Sequence, residues 1–380
     1  MRDHAPLGLL SGILRIFPAV YPRIDIFDSQ RWVIIRAFSG SNIWLIHPKN
    51  RSSVVGERLY RYSTQLGEMI TGPAEDVMRG REFGRLRGRI QLIFTSPPFP
   101  LVRKKRYGNR TGSDYVEWLA SFAADFRDLL TSDGSLVLEM GNTWEAGKPV
   151  MSTLGLEALL AIKEKGDFHL SQQFVWHNKA RLPSPAQWVN VTRERVTDAF
   201  THIWWMSKSE HPKADNRNVL REYSKSMRQL LERQSYNAGI RPSEHQIGKT
   251  SFLADNGGSI PPNVFHTANT RARDAYQDYC RREGIRPHSA RMAPEIVEFF
   301  VKFLTDPDDV VLDPFAGSNT TGAVCERLSR QWVSIEQDPA QAAASIGRFP
   351  HLSEIEPRRG GVNDNLRIVD VPIIALGLSD

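Results

Sequence analysis

The feature that most constrains the fold of this 380-residue chain is a strand–turn–helix–strand segment at 310–336. VVLDPFAGSNTTG reads as a buried strand that ends in Asp313, a turn that contains Gly317, and the first turn of a helix. WVSIE then reads as a second strand with Glu336 at its tip. A helix between two strands in this order is the repeating unit of parallel sheets, so the segment predicts an α/β fold.

The turn after Asp313 predicts a nucleoside-bearing cofactor, because a glycine turn that opens a helix presents free N–H groups to a ligand. Asn319 stands where a dinucleotide-binding turn has its second glycine, and the segment has no phosphate-binding lysine, which argues against a pyrophosphate or a nucleoside triphosphate. Asn tolerates left-handed backbone, so the turn is expected to form without that glycine. Glu336 lies nineteen residues beyond Gly317, the spacing at which a carboxylate reaches a ribose. S-adenosylmethionine fits this combination.

A second motif, FTSPPF at 94–99, ends another apolar strand. Neither proline has an N–H to donate, so the sheet ladder must stop here. Basic residues lie on both sides of the motif, and the net charge of the chain is +6. The run RKKRYGNR after the motif predicts a phosphate-facing surface, with Arg103, Lys104 and Lys105 as candidate contacts.

Cysteine usage argues against two classes of protein. The chain has two cysteines, Cys280 and Cys325, and no CxxC spacing. We therefore expect neither a disulfide framework nor a zinc site, and we predict no metal site. The same usage favours a reducing cytosol. No apolar stretch reaches the length of a transmembrane helix.

Apolar periodicity predicts how the chain is organised. Strands are predicted at 91–95, 134–141, 168–178 and 198–208, and helices at 115–130, 154–166 and 293–305. Residues between 209 and 287 are polar and rich in turn residues, which is typical of an inserted module. The predicted divisions are an N-terminal segment of unassigned role at 1–55, a catalytic half at 56–208, a candidate target-recognition region at 209–287, a cofactor-binding half at 288–349 and a C-terminal tail at 350–380.

The two motifs together resemble the β class of amino-methylating DNA methyltransferases, in which the target-site motif precedes the cofactor motif. Thr95-Ser-Pro-Pro-Phe99 and Asp313-Pro-Phe-Ala-Gly-Ser318 carry this resemblance. LPSPAQWVN, RVTDAF, IWWMSK, DNGGSIPPN and GSNTTG further resemble the PvuII-type N4-cytosine methyltransferases of restriction–modification systems. The similarity implies a Rossmann-like S-adenosylmethionine-dependent methyltransferase sheet with permuted motif order and an inserted target-recognition module. An antiparallel hairpin is expected at one sheet edge.

The resemblance implies a role for each motif residue. The Ser96 hydroxyl and the Pro97 carbonyl accept hydrogens from an exocyclic amine, and Pro97 and Pro98 fix the direction of that carbonyl. Phe99 stacks on a base swung out of the duplex. Trp176 lines the target pocket, with simple core packing as an equal alternative. The implied cofactor contacts are Asp313, Pro314, Phe315, Gly317, Ser318, Thr320, Thr321, Glu336 and His288.

Two other functions stay open at this point. Ser96 at the head of its motif favours N4 of cytosine over N6 of adenine, the nearest alternative. Methylation of cytosine C5 is disfavoured, because it needs a cysteine after a proline and the chain has none. Pro73, Ser289 and Ala293 depart from the family pattern, which leaves a catalytically inert DNA-binding relative as the second alternative. The predicted partners are double-stranded DNA and a cognate restriction endonuclease.

Overall fold

The computed structural model describes residues 61–99, 112–269 and 274–349, and the backbone of two strands nearer the N-terminus. Those strands, β1 (Val33–Arg36) and β2 (Ile43–Ile46), pair antiparallel and belong to a compact unit formed by residues 1–59 and 355–380. A second unit, residues 60–354, holds every element described below. Arg103, Lys104 and Lys105 lie outside the described residues, so their contacts with DNA stay predictions.

A nine-stranded mixed sheet forms the centre of the second unit. The strands of this unit are β3 (Arg61–Ser63), β4 (Gly67–Thr71), β5 (Ile90–Thr95), β6 (Leu130–Gly141), β7 (His169–His177), β8 (Phe200–Ser207), β9 (Gly239–Ile240), β10 (Gln246–Ile247), β11 (Val264–His266), β12 (Val310–Asp313) and β13 (Gln331–Glu336). The order across the sheet is β11-β7-β8-β6-β5-β12-β13-β4-β3, and β9 and β10 form a separate hairpin.

The core of the sheet is parallel, as predicted. β6, β5, β12, β13 and β4 pair parallel in that order. All six residues of β5 are buried, which explains why this strand reads as a continuous apolar run rather than an alternating one. β3 pairs antiparallel with β4 at one edge.

The predicted β7–β8 hairpin forms, but it is not at the edge of the sheet. β8 pairs antiparallel with both β7 and β6. β11 then pairs parallel with β7 on its outer side and becomes the edge strand. The sequence before Val264 is polar and turn-rich, and β11 has only three residues, so period-two alternation is too short to detect there.

Helices cover both faces of the sheet. They are α1 (Ala74–Arg79), α2 (Ser113–Ala120), α3 (Ala123–Leu129), α4 (Leu154–Lys165), α5 (Lys225–Arg233), α6 (Ala275–Arg282), α7 (Pro294–Leu304), α8 (Thr320–Arg327) and α9 (Pro339–Ala344), with single 3₁₀ turns at Arg81–Leu86, Asn216–Val219 and Ser345–Arg348 and a π turn at Gln187–Val191. Ile93 and Leu136 face a core shared with α1 to α4. Their chain neighbours Leu92 and Val137 face a second core shared with α7, α8 and α9. This alternation produces the three layers of a doubly wound fold.

The single helix predicted at 115–130 is interrupted. α2 ends at Ala120 and α3 begins at Ala123, and between them the Ser121 side chain donates a 2.8 Å hydrogen bond to the Trp118 carbonyl. A hydroxyl that bonds to the backbone of its own helix competes with the helical ladder. The break leaves Trp118 at the end of α2, where its ring reaches the functional site.

The region 209–287 contributes to the fold at several places, and its start is tied to the end of α7 by Lys213, which pairs with Asp306 and Asp309. β11 extends the large sheet, and Tyr276 and Cys280 of α6 pack with Ala344 of α9 in a small buried cluster. α5 has no buried residue, and the β9–β10 hairpin is exposed apart from Ile247. The assignment of this region to target recognition stays a prediction.

Candidate active site

A cavity of about 360 Å³ opens where the carboxyl ends of β5 and β12 lie side by side. Chain connections leave these two strands toward opposite sides of the sheet, which is the switch point where ligands bind in doubly wound folds. The predicted meeting of the two motifs at this point is confirmed. The cavity is lined by every predicted site residue within the described part of the chain, namely Ser96, Pro97, Pro98, Phe99, Trp176, His288, Asp313, Pro314, Phe315, Gly317, Ser318, Thr320, Thr321 and Glu336.

Asp313 joins the two motifs. Its Oδ1 accepts hydrogen bonds from the Thr95 hydroxyl at 2.7 Å and from the Phe315 N–H at 3.2 Å. Its Oδ2 accepts from the Thr321 hydroxyl at 2.6 Å. Burial raises the pKa of this carboxyl to about 6, although the three donors oppose that shift. The carboxyl therefore ties the tips of β5 and β12 to the start of α8.

The cofactor turn has the left-handed backbone that the sequence predicted. Gly317 has φ +52° and Asn319 has φ +53°. Asn319 Oδ1 accepts from the Gly322 N–H and the Ser334 hydroxyl, so the side chain caps α8 and compensates for the missing glycine. A Cβ on Gly317 would lie 3.0 Å from the His288 ring. The left-handed backbone and this close approach together favour glycine at this position.

Glu336 faces the same turn from the tip of β13. Its Oε2 accepts a 2.8 Å hydrogen bond from the Gly317 N–H, and its Oε1 accepts one of 2.8 Å from the Asp338 N–H. Burial raises its pKa to about 7. The carboxyl thus lies against the glycine turn, where a ribose bound at the strand tips would meet it.

The catalytic motif is coupled to a residue that sequence reasoning missed. The Ser96 hydroxyl donates a 2.5 Å hydrogen bond to Glu139 Oε2. Glu139 is buried within the apolar strand β6. Burial raises its pKa, while the Ser96 and Thr201 hydroxyls and the Arg181 guanidinium oppose the rise. The sequence contains one indication of this role, a single carboxylate within the apolar segment GSLVLEMG. Such a group is almost never buried without a partner or a function.

Aromatic side chains form two walls of the cavity. A Cβ on Gly141 would lie 2.7 Å from the Phe99 ring, so the ring packs directly on the glycine at the end of β6. Trp176 is buried and donates from Nε1 to the Thr267 carbonyl at 2.8 Å. The two readings of Trp176 are therefore compatible, since the ring packs in the core and also lines the cavity.

A second acidic group lies near the departure at Pro73. Glu75 lines the cavity in the first turn of α1, and its Oε1 accepts a 2.7 Å hydrogen bond from Trp118 Nε1. The Trp118 and Phe315 rings lie 5.6 Å apart. Together with Glu75 and Glu336 these rings provide an apolar surface with carboxylate acceptors beside it, which suits an adenosine group. The residues present therefore fit S-adenosylmethionine.

Arg348 is a further residue that the sequence did not reveal. It donates to the Ser318 carbonyl and hydroxyl at 3.2 and 3.1 Å, and to Asp274 at 3.2 Å. Its guanidinium also lies over the Tyr276 ring. Arg348 therefore holds the cofactor turn against α6, a contact between segments far apart in the chain.

This fold, with its paired cofactor and Ser-Pro-Pro-Phe turns in one cavity, defines a methyltransferase. Residues 90–346 match the DNA methylase family of N6 and N4 methyltransferases. The chain belongs to that family, which confirms the predicted class of enzyme and its methyl donor, S-adenosylmethionine.

Two relatives and one solved structure illustrate the similarity. The chain is 43% identical over 290 residues to the type II methyltransferase M.PvuII from Proteus hauseri, covering 76% of this chain and 85% of the relative. It is 22% identical to M.XycI from Xanthomonas campestris pv. cyanopsidis, covering 69% and 82%. The structure of the cytosine-N4-specific PvuII DNA methyltransferase superposes with a TM-score of 0.61 at 36% identity, covering 78% of this chain and 90% of that one.

Two further features concern the cysteines and the apolar length of the helices. Both cysteines are free and buried, and neither lines the cavity, which agrees with the argument against C5 chemistry. Across 61–99, 112–269 and 274–349, no helix is both long and apolar enough to cross a membrane.

Proposed function

We propose that this enzyme transfers a methyl group from S-adenosylmethionine to N4 of cytosine in double-stranded DNA. The observation that carries the proposal is the hydrogen bond from Ser96 to Glu139. Because the hydroxyl hydrogen points to the carboxylate, the lone pairs of Ser96 Oγ remain for the amine hydrogens of the target base. The similarity to a cytosine-N4-specific enzyme supports the same choice of base.

The chemistry that the bound cofactor supplies is an electrophilic sulfonium methyl group. The exocyclic amine of cytosine is a weak nucleophile, because its lone pair is delocalised into the ring. Ser96 Oγ and the Pro97 carbonyl hold its hydrogens and favour a pyramidal nitrogen. When the methyl carbon exchanges its bond to sulfur for a bond to N4, the sulfur keeps the electron pair of the broken bond, and N4 carries an extra proton that must leave. Ser96 accepts this proton and passes its own hydrogen to Glu139, whose buried carboxylate has a raised pKa and so a higher proton affinity.

Phe99 and Trp176 are proposed to hold the extruded base. A base within a duplex cannot reach this cavity unless it swings out of the stack. The aromatic walls offer it a surface to stack on, which is worth about 1–3 kcal/mol per base. Arg103, Lys104 and Lys105 are proposed to grip the phosphates beside it.

The biological role follows from the similarity to type II methyltransferases. We expect methylation at one specific sequence to protect that sequence from a partner restriction endonuclease. Residues 209–287 are the proposed target-recognition region. The test is to treat DNA with the enzyme and its cofactor and to identify the methylated nucleoside after digestion. N4-methylcytosine is expected; N6-methyladenine alone would overturn the choice of base, and no product would favour the inert relative.

A further inference from the structure

We propose that Arg181 recognises the pyrimidine edge of the target base and so sets the preference for cytosine over adenine. This inference rests on the proposed function. Arg181 lines the cavity together with Ser96, Glu139, Trp176 and Thr201. Its charge is close enough to Glu139 to lower the pKa of that carboxyl. The two side chains nevertheless form no ion pair with each other, so the guanidinium retains donors for a ligand.

A short turn places Arg181 at this wall of the cavity. Asn178 follows β7, and its Oδ1 accepts a 3.0 Å hydrogen bond from the Ala180 N–H. The Asn178 carbonyl accepts from the Arg181 N–H at 3.1 Å, and Asn178 Nδ2 donates to Asn269 Oδ1 at 3.0 Å. The turn is therefore fixed to the end of β7 and to the segment after β11.

The guanidinium itself is oriented by one backbone contact. Its Nη1 donates a 3.1 Å hydrogen bond to the Phe200 carbonyl at the start of β8. A guanidinium has five N–H donors in a planar fork. The donor held by the backbone restrains the position of the fork, and the other donors are left to meet acceptors of a ligand in the cavity.

Cytosine and adenine differ at the position this fork would reach. In both bases the exocyclic amine is followed by a ring nitrogen that accepts a hydrogen bond. Next to it cytosine has the carbonyl oxygen O2, whereas adenine has a C–H group. With the amine held by Ser96 and Pro97, a donor fork beside these two groups, on the Glu139 side of the cavity, can bind N3 and O2 of cytosine together. Adenine offers it only one acceptor, and a buried donor left unpaired is unfavourable.

The matched control is Arg195, which lies on the same loop and donates to the Pro149 carbonyl at 3.0 and 2.7 Å. Arg195 does not line the cavity, so Arg195→Met tests what loosening of the loop alone does. Arg181→Met removes the fork with little change in volume, and Arg181→Lys keeps the charge but loses the paired donors. Folding of all three variants is checked by thermal unfolding.

The probes are duplexes that carry the site mapped by sequencing of modified bases. The target position holds cytosine, adenine, or a 2-aminopyridine C-nucleotide, which keeps the amine and ring nitrogen of cytosine but lacks O2. Equilibrium affinity is measured with S-adenosylhomocysteine present, and single-turnover rates are measured with S-adenosylmethionine. Wild-type enzyme should prefer cytosine to the analogue by about 10- to 100-fold. Arg181→Met should remove most of this preference, Arg181→Lys should restore part of it, and Arg195→Met should retain it.

Two outcomes would overturn the inference. If Arg181→Met lowers the affinity and the single-turnover rate by the same factor on all three duplexes, Arg181 only supports the loop. A uniform loss with a smaller salt dependence of binding would mean that it contacts a phosphate. Failure of the proposed function looks different, because wild-type enzyme alone would then yield N6-methyladenine from the mapped site.

Discussion

Ser96 and Glu139 lie 43 residues apart in the chain, yet a 2.5 Å hydrogen bond joins them at the ends of the adjacent parallel strands β5 and β6. The pair explains why a serine can serve at the head of this motif. A serine hydroxyl is both donor and acceptor, and an acceptor that occupies its hydrogen leaves it as an acceptor toward the base. In the proposed mechanism the carboxylate also accepts the proton released after methyl transfer.

Ser96→Ala removes the acceptor and changes little volume, so folding and cofactor binding should persist. The single-turnover methylation rate with saturating DNA should fall by about 100- to 1000-fold, the loss measured when one oriented donor is removed from an oxyanion site, our nearest comparison. Calorimetry with S-adenosylhomocysteine provides the check on binding. A near-normal rate would reduce Ser96 to a turn residue.

Glu139→Gln should separate the orienting role of Glu139 from its proton-accepting role. The amide oxygen can still accept the Ser96 hydroxyl, but it cannot take a proton near neutral pH. Because burial raises the pKa of Glu139, the proton-accepting carboxylate forms only above an elevated pKa, and the wild-type rate should rise with pH through that pKa. The variant should methylate slowly, and its rate should no longer rise with pH. If the rate of the variant rises with pH over the same range as the wild-type rate, a group other than Glu139 is responsible for the rise.

Gly141→Ala should weaken capture of the base without removing any functional group. The added Cβ would lie 2.7 Å from the Phe99 ring, so the ring must move from its position beside the cavity. We expect weaker binding of duplex DNA in the presence of S-adenosylhomocysteine, up to the loss from Phe99→Ala of about 1–3 kcal/mol. Gly155→Ala is the control, because its Cβ would meet only Met140 Cε, at 3.8 Å. Equal behaviour of the two variants would contradict the packing argument.

Gly317→Val should abolish cofactor binding. The backbone there has φ +52°, which is strained for a branched residue by about 1–2 kcal/mol, and the side chain would overlap the His288 ring. Gly84→Ala serves as the control, since nothing lies within 4 Å of its added Cβ. Calorimetric titration with S-adenosylhomocysteine distinguishes them, and unchanged affinity in Gly317→Val would place the cofactor elsewhere.

Cofactor binding should depend on pH through Glu336. Its pKa is raised to about 7 by burial, so the carboxylate that we propose to accept the ribose hydroxyls is fully formed only above that pH. Affinity should therefore fall as pH drops from 8 to 6, and binding below about pH 7 should release protons, as heats measured in buffers of different ionisation enthalpy would reveal. Glu336→Gln should bind more weakly, by roughly 1.5–3 kcal/mol at high pH, with the pH dependence reduced. The same slope in the variant would assign the titration to another group.

Glu336 also affects stability, with a defined sign. A carboxyl whose pKa is raised by folding binds its proton more tightly in the folded state. Its contribution is fully present below the unfolded pKa near 4.5 and is lost as pH rises through about 7. Asp313, with a pKa raised to about 6, acts in the same direction.

The sequence by itself determined the elements that local chemistry specifies. Continuous apolar runs gave the central strands, and the turns at Ser96–Phe99 and Gly317–Asn319 followed from proline and from residues that tolerate left-handed backbone. The carboxyl ends of parallel strands lie at one edge of a sheet, so a parallel sheet places the two motifs at the same edge. The nineteen-residue spacing to Glu336 belongs to the same local unit.

Only the tertiary structure decided which distant side chains complete the site. Glu139 and Arg181 line the cavity from β6 and from the turn after β7. Arg348, at the end of the last 3₁₀ turn, supports the site from outside the cavity through its hydrogen bonds to Ser318. Strand register and helix packing determine these contacts, and neither can be deduced from the periodicity of apolar residues in the sequence. The same holds for β11, which takes the sheet edge through pairing with β7. A strand of three residues is too short to show a hydrophobic pattern in the sequence. Its hydrogen-bonding partner lies some ninety residues away in the chain.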